Sequence, residues 1–278
     1  MRISPSSLNL WLECQQKWGY VYLDNLEPTF TPEYLNIGHI IHRWLERYYK
    51  GMQAIEARDA TWEEALGTTL KEVTEVARIK AMLWGISAGY PERYKTEEFQ
   101  VLSVEVPSKT DPYDIVIPDV IIKKPNGEVW VLEHKITTQS NTDKYIKHIG
   151  IHPQPHAEVE AAKAVGICYN FIYKAEIRQK QTENLDEYCV RMATEYTNPD
   201  KHPRYYQRSW IYIPHSHTVN ERASEEAIRM KMSKPGDKLQ RNPHACFNYG
   251  SECAFLPLCQ GVSSEGLYRT REDRSLIA

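Results

Sequence analysis

Between Ile117 and Thr138 the chain reads IPDVIIKKPNGEVWVLEHKITT, two strand-like runs on either side of Pro125-Asn126-Gly127. The triplet suits a three-residue hairpin loop. Proline presets the first turn position, asparagine tolerates the second, and glycine takes the left-handed third. Such a loop pairs Lys124 with Glu128, and counting outward sets Asp119 directly across from Glu133. Their Cβ atoms would lie only about 4.5–5.5 Å apart. Lys135, two residues past Glu133, falls on the same face. Like charges in direct opposition destabilise a sheet; a divalent cation between them reverses that, because hard cations take carboxylate oxygens. Two other readings stay open. One is a surface hairpin with solvated acids. The other is a two-residue Asn-Gly loop, which shifts the register by one and puts the acids on opposite faces.

The surrounding 278 residues, 41% hydrophobic and 26% charged, suit one large globular domain or two small ones. No stretch approaches the apolar length of a membrane span. The N-terminus lacks the continuous apolar run of a signal peptide, so a cytoplasmic or otherwise reducing compartment is expected, with no membrane partner. At net charge −3, a grip on nucleic acid has to come from a local basic patch. Two basic–aromatic stretches offer themselves: Lys144, Lys147 and His148, then Arg204, Tyr205, Arg208 and Trp210. Each of these residues is individually better read as solvated surface or core.

Periodicity predicts a capped helix over 4–18, started by Ser4 or Ser6. A second has Thr31 as N-cap, Pro32 at its first position and Tyr34, Ile37, Ile41, Trp44, Leu45 and Tyr48 at helical spacing. A third covers 61–86. A strand at 99–106 precedes the hairpin. Beyond it come a polar stretch (139–153), a helix near 155–165, a strand at 167–173 and a linker at about 174–203. A strand at 205–213 and a helix at about 218–233 follow. Helices first, then a sheet with helices around it, give α/β with a mixed sheet.

Of six cysteines, Cys168 and Cys189 sit singly in apolar or mixed segments and read as structural thiols. Cys246, Cys253 and Cys259 gather in ACFNYGSECAFLPLCQG, with Cys14 isolated near the other end. In a reducing compartment such a cluster indicates a metal site rather than a disulfide framework.

Four features now stand in one order: SPSSLNLWLECQQKW with Cys14, GHIIH with Gly38 and His42, the literal Pro118-Asp119 with Glu133-His134-Lys135, and the C-terminal cysteine trio. In this order the chain resembles the PD-(D/E)XK nuclease superfamily. It looks most like the RecB-type exonuclease branch with an iron–sulfur cluster, to which CRISPR spacer-acquisition nucleases and many phage-encoded exonucleases belong. The resemblance spans Ser4 to Cys259. It implies a restriction-endonuclease-like α/β core, a mixed central sheet flanked by helices, in a single domain over 1–278. Segments 1–30 and 240–262 would meet at the four-cysteine cluster. The implied activity is a metal-dependent DNA exonuclease hydrolysing phosphodiester bonds at DNA ends, in recombination, repair or processing. Its partner would be DNA, single-stranded or with accessible ends. No helicase motif is present, so unwinding would fall to a helicase or recombination partner. The alternatives are a catalytically silent DNA-binding or assembly module and an endonuclease of the same fold. The intact residue set argues for catalysis.

The implied catalytic residues are Asp119, Glu133 and Lys135. The implied metal ligands are His42, Asp119 and Glu133, helped by the His134 main-chain carbonyl. The carboxylates would hold Mg²⁺ or Mn²⁺, and the imidazole tilts preference toward Mn²⁺. The cation would acidify a water and polarise the scissile phosphate, and Lys135 would stabilise developing charge. Gly38, one helical turn before His42, is expected to let that face approach the sheet closely. His39 lies about 300° round the helix from His42, so both can face one side; the family spacing favours His42. Glu46 and Glu105 could stand behind the metal ligands, but solvated or structural roles are favoured for both. The second implied site is a [4Fe–4S] cluster on Cys14, Cys246, Cys253 and Cys259, with structural Zn²⁺ as the alternative. The spacer between Cys246 and Cys253 is longer than is usual in the family and is expected to form a glycine-containing turn. Gln15 stands where proline often follows the first cysteine. Of a Q-x-x-x-Y motif, Gln154 fits the first position but Glu158 stands where tyrosine is expected. Gln154 is therefore either a contact to the scissile strand or a solvated helix-start residue.

Overall fold

A computed structural model of the chain describes residues 3–29, 33–67, 76–138, 142–149, 152–213, 217–234, 237–250, 252–262 and 265–271. Ser4 caps α1 (Pro5–Glu13): its hydroxyl accepts the Ser7 N–H, and the Ser7 hydroxyl accepts the Ser4 N–H. The helix expected over 4–18 is broken at Cys14, which is extended at φ −162°, ψ 109°, and α2 (Gln15–Tyr22) restarts beyond it. Packing explains the break. Trp11 and Trp18 meet edge to face with ring centroids 4.9 Å apart. Seven residues of unbroken helix would separate them by about 10.5 Å of rise.

A short strand, β1 (Leu26–Pro28), leads to α3 (Glu33–Tyr49), α4 (Ala54–Gly67) and α5 (Val76–Tyr94). The predicted cap Thr31-Pro32 lies outside the described residues. The helix expected over 61–86 falls on α4 and α5, which begin earlier and end later. Gly38 does not serve a close approach, since a Cβ built there would meet nothing within 4 Å.

The strands β2 (Gln100–Val104), β3 (Ser108–Thr110), β4 (Tyr113–Val116), β5 (Val120–Lys123) and β6 (Val129–Thr137) come next. The run DIVIPDVII, read as one strand, is two. Proline donates no ladder hydrogen bond, and at Pro118-Asp119 the chain leaves the β3–β4 pair and enters the main sheet. Then follow α6 (Thr142–His148), inside the stretch read only as polar, α7 (Pro153–Ala161) and β7 (Gly166–Tyr173). The supposed linker contains α8 (Leu185–Thr197), started by a capping box between Asn184 and Glu187. Its buried Tyr188, Cys189, Met192 and Tyr196 face α5 and the core. Gly89 permits that contact: a Cβ there would lie 2.2 Å from the Tyr196 carbonyl oxygen. A short α9 (His202–Tyr205), β8 (Tyr206–Tyr212), α10 (His217–Met232), a 3₁₀ segment (Pro243–Gly250), α11 (Leu256–Gln260) and β9 (Tyr268–Thr270) complete the described chain. The Cys246–Cys253 spacer thus begins inside a 3₁₀ helix that runs to Gly250.

Among the described residues the central sheet runs β2-β5-β6-β7-β8. Neighbours are antiparallel except β6 and β7, which are parallel and joined through α6 and α7. This is the mixed, helix-flanked sheet expected from the sequence. One face packs Trp44, Leu45, Met82, Ile86 and Tyr188 from α3, α5 and α8 against Ile172. The other packs Ile149 and Val159 against Val131, Ile167 and Phe171. Burying a large apolar side chain of this kind contributes about 1.5–3 kcal/mol. Two charged or amide-bearing groups interrupt these surfaces, and both lie around β6.

Candidate active site

The hairpin adopts the expected three-residue loop. Lys124 N–H donates to the Glu128 carbonyl at 2.9 Å, and Gly127 takes φ +89°. The pairs Lys123–Val129 through Val120–Leu132 follow in register. One step further sets Asp119 opposite Glu133. Alternate pairs of an antiparallel ladder exchange hydrogen bonds, so the His134 N–H would face Pro118. It donates instead to Asp119 Oδ2 at 2.7 Å. The side chain replaces the ladder and fixes the carboxylate at the strand end.

His42 approaches from α3, its Nδ1 3.6 Å from Asp119 Oδ2. His39, on the same helix, is exposed. Glu105, read from sequence as solvated or structural, joins the site. One donor atom each from His42, Glu105 and Asp119 lie within 4.8 Å of one another. Glu105 takes the left-handed φ of +52°, an uncommon conformation for a residue with a Cβ. Its N–H donates to the Asp119 carbonyl at 3.0 Å. That backbone turn at the end of β2 brings its carboxyl inward, and alternation along the strand gave no sign of it. Glu46 pairs instead with Arg43 and Lys50, in keeping with the sequence reading.

Glu133 is not within that group of three donors. It turns Oε1 to Lys135 Nζ at 2.6 Å and receives Gln154 Nε2 at 3.4 Å. Gln154 is half-buried and also donates to Glu158 Oε1 at 2.7 Å. Glu158 is buried, with Oε2 lacking a hydrogen-bond partner.

The electrostatics follow from crowding acids in a poorly solvated pocket. Burial, then the charges of Glu133 and Glu105, push Asp119 well above the usual carboxylate range. Burial, then Glu46 and Glu133, push Glu105 up to about 7. Burial and then Glu133 raise Glu158. Burial keeps His42 neutral at neutral pH, against the pull of Glu133. Burial also works against the charge on Lys135, but Glu133 and Asp119 outweigh it and hold the ammonium protonated. A neutral imidazole beside carboxyls that resist ionising together is a donor set that fits a divalent cation, with hard oxygens and one nitrogen.

Two residues of the second basic–aromatic stretch take the core reading preferred for each of them. Arg208 and Tyr205 are buried, Arg208 paired with Glu97. Trp210 packs edge-on against Trp130 with Lys124 over its ring.

Cys14, Cys246, Cys253 and Cys259 gather where the chain ends meet. Gln16 N–H donates to Gln240 O, Asn242 Nδ2 to Glu13 O, and Arg241 to Cys259 O. Cys259 Sγ lies 3.9 Å from the Tyr20 hydroxyl. The Cys253 thiol is raised by burial, then by Cys246 and Cys14. Among the described residues, no three of these sulfurs lie within 4.8 Å of one another. Cys168 and Cys189 are buried in the core away from them.

A family model described as the PD-(D/E)XK nuclease superfamily matches residues 2–260. No curated protein matches the chain.

Proposed function

Because the chain belongs to the PD-(D/E)XK nuclease superfamily, we propose that it is a metal-dependent deoxyribonuclease of the RecB-type branch that degrades DNA from its ends. The observation that carries the catalytic reading is the meeting of His42, Glu105 and Asp119 beside the 2.6 Å Lys135–Glu133 pair. His42, Glu105 and Asp119 would hold Mg²⁺ or Mn²⁺, with Glu133 next to them. When bound, the cation supplies Lewis acidity toward a phosphoryl oxygen and a water. The chain's own residues do the rest. Asp119 is held in place by the His134 N–H. Lys135 keeps its proton, gives one N–H to Glu133, and offers its positive charge to phosphate oxygens as negative charge builds on them. Gln154 braces Glu133 from α7.

The cysteines support the iron–sulfur part of this reading. Four thiols lie where the N-terminal helices meet the C-terminal segment, the position a structural cluster would take. Four thiolates suit a [4Fe–4S] cluster on Cys14, Cys246, Cys253 and Cys259, with structural zinc on the same ligands as the alternative. Nothing in the catalytic set depends on it.

Linear end-labelled and circular single-stranded DNA, digested side by side with Mn²⁺ or Mg²⁺, test the proposal. Release of labelled short products from linear DNA, with circles intact, is expected. Cut circles would make the protein an endonuclease, and binding without cleavage would make it the silent module.

A further inference from the structure

The face of the sheet opposite Glu133 and Lys135 carries a second polar feature. His134, Asn170 and Arg208 are direct register partners across β6, β7 and β8. They form one rung of side chains crossing an otherwise apolar surface, flanked by Leu132, Cys168 and Trp210 on one side and Ile172 and Tyr206 on the other. His134 is 2% exposed and Asn170 0%.

Every link of the rung is a close contact. Arg208 Nε donates to Asn170 Oδ1 at 3.2 Å, and an NH₂ of Arg208 donates to the hydroxyls of Tyr49 and Tyr90 at 3.0 Å each. Glu97 pairs with the guanidinium, which stacks 3.8 Å from the centre of the Tyr94 ring. Asn170 Nδ2 donates to Tyr90 and meets His134 Nδ1, both at 2.8 Å.

The direction of these bonds fixes the histidine. Arginine only donates, so the Asn170 atom facing it is the carbonyl oxygen, and the amide nitrogen faces His134. His134 Nδ1 is therefore an acceptor, and the ring proton sits on Nε2. The ring so held fills the space between sheet and helix. It stacks on Tyr49 of α3 at 5.4 Å and 19°, and meets His42, two helical turns earlier on α3, at 6.0 Å. The main chain of the same residue donates to Asp119 and hydrogen-bonds His42.

We propose that the Arg208–Asn170–His134 rung positions the metal site: it locks the His134 ring as the spacer that sets His42 on α3 against Asp119 on the sheet. None of the three side chains is a catalytic residue; each acts through His134. The proposal rests on the cation-site reading above. The His134 main chain stands one hydrogen bond from Asp119 and from His42, and disturbing partners so placed typically changes metal affinity about 10–100-fold.

Asn170→Asp separates positioning from mere packing. It keeps size, shape and the acceptor for Arg208, but cannot donate to His134 Nδ1, so the ring must take the other tautomer or shift. Mn²⁺ affinity is read directly, by electron paramagnetic resonance of the free ion. Asn170→Asp is expected to fold and to bind Mn²⁺ about 10–100-fold more weakly. Ile172→Val, the next position of β7 on that face, should bind Mn²⁺ as the wild type does. Wild-type affinity in a folded Asn170→Asp overturns the proposal, as does an equal loss in Ile172→Val. Should Asn170→Asp not fold, nitrogen-15 NMR of the wild-type imidazole decides: a proton on His134 Nε2 supports the proposal, and one on Nδ1 overturns it. Wild-type protein that binds no Mn²⁺ overturns the cation-site reading and this proposal with it, whereas normal binding in wild type and variant overturns this proposal alone.

Discussion

Lys135 Nζ and Glu133 Oε1 lie 2.6 Å apart on one face of one strand, beside Asp119 and with Glu133 almost fully buried. The ammonium offsets part of the repulsion among the site's acids and stays protonated because of them. Removing it should therefore do two things. Lys135→Ala is expected to lower the single-turnover cleavage rate about 10²–10³-fold, the scale of losing one charge-stabilising donor. It should also destabilise the protein by up to about 3–5 kcal/mol, because a buried carboxylate loses its partner. Rate measurements on folded protein, with melting curves alongside, check both. A wild-type rate would remove Lys135 from the mechanism.

Metal affinity should depend on pH through Glu105. Its folded pKa, pushed up to about 7 by burial and by Glu46 and Glu133, lies above the unfolded value. Its ionised form is therefore a cost to the metal-free fold that appears as pH rises through about 7. A cation must displace that proton. Mn²⁺ affinity is expected to rise about tenfold per unit from pH 6 to near 7, then level off. Glu105→Gln should bind more weakly and show a shallower slope, with the raised Asp119 carboxyl still contributing. Titration calorimetry in buffers of different ionisation enthalpy reads the released proton; identical heats in all buffers would count against it.

Glu158 sits buried, its carboxyl raised by burial and then by Glu133. A raised folded pKa means stability present at low pH and lost as pH rises through it. Glu158→Gln removes that loss, so its melting temperature should exceed the wild type's by a margin that grows from pH 5 to pH 9. Cleavage should change by less than about threefold, since the amide resembles the protonated acid. A margin that shrinks with pH would mean Glu158 is ionised in the folded protein.

Protein purified without oxygen should be brown, with broad absorbance and about four irons per chain. Changing Cys14, Cys246, Cys253 or Cys259 to serine should cost colour and protease resistance together, because these residues lie where α1 and α2 meet the C-terminal segment. Changing Cys189 to serine should leave the colour intact. Stoichiometric zinc without iron would replace the cluster.

The hairpin was legible because Pro-Asn-Gly fixes a register and a register fixes faces; Asp119, Glu133 and Lys135 followed from counting. Glu105 was not legible, because its inward turn depends on a left-handed backbone after an edge strand. The rung was not legible either. Asn170 and Arg208 look like ordinary polar positions in ICYNFIY and YYQRSWIYI until the pairing of three strands aligns them with His134. The missed α8 did carry a signal, the Asn184–Glu187 capping box ahead of Tyr188, Met192 and Tyr196 at helical spacing. The surrounding charge and proline obscured it.

Asp119 is expected to anchor a metal-dependent nuclease centre. Single-turnover cleavage of end-labelled single-stranded DNA by wild type and Asp119→Asn, with Mn²⁺ and with EDTA, tests it most directly. Cleavage is expected only from wild type with Mn²⁺, with Asp119→Asn folded but inactive under both conditions. Cleavage in EDTA, or undiminished cleavage by Asp119→Asn, would contradict it.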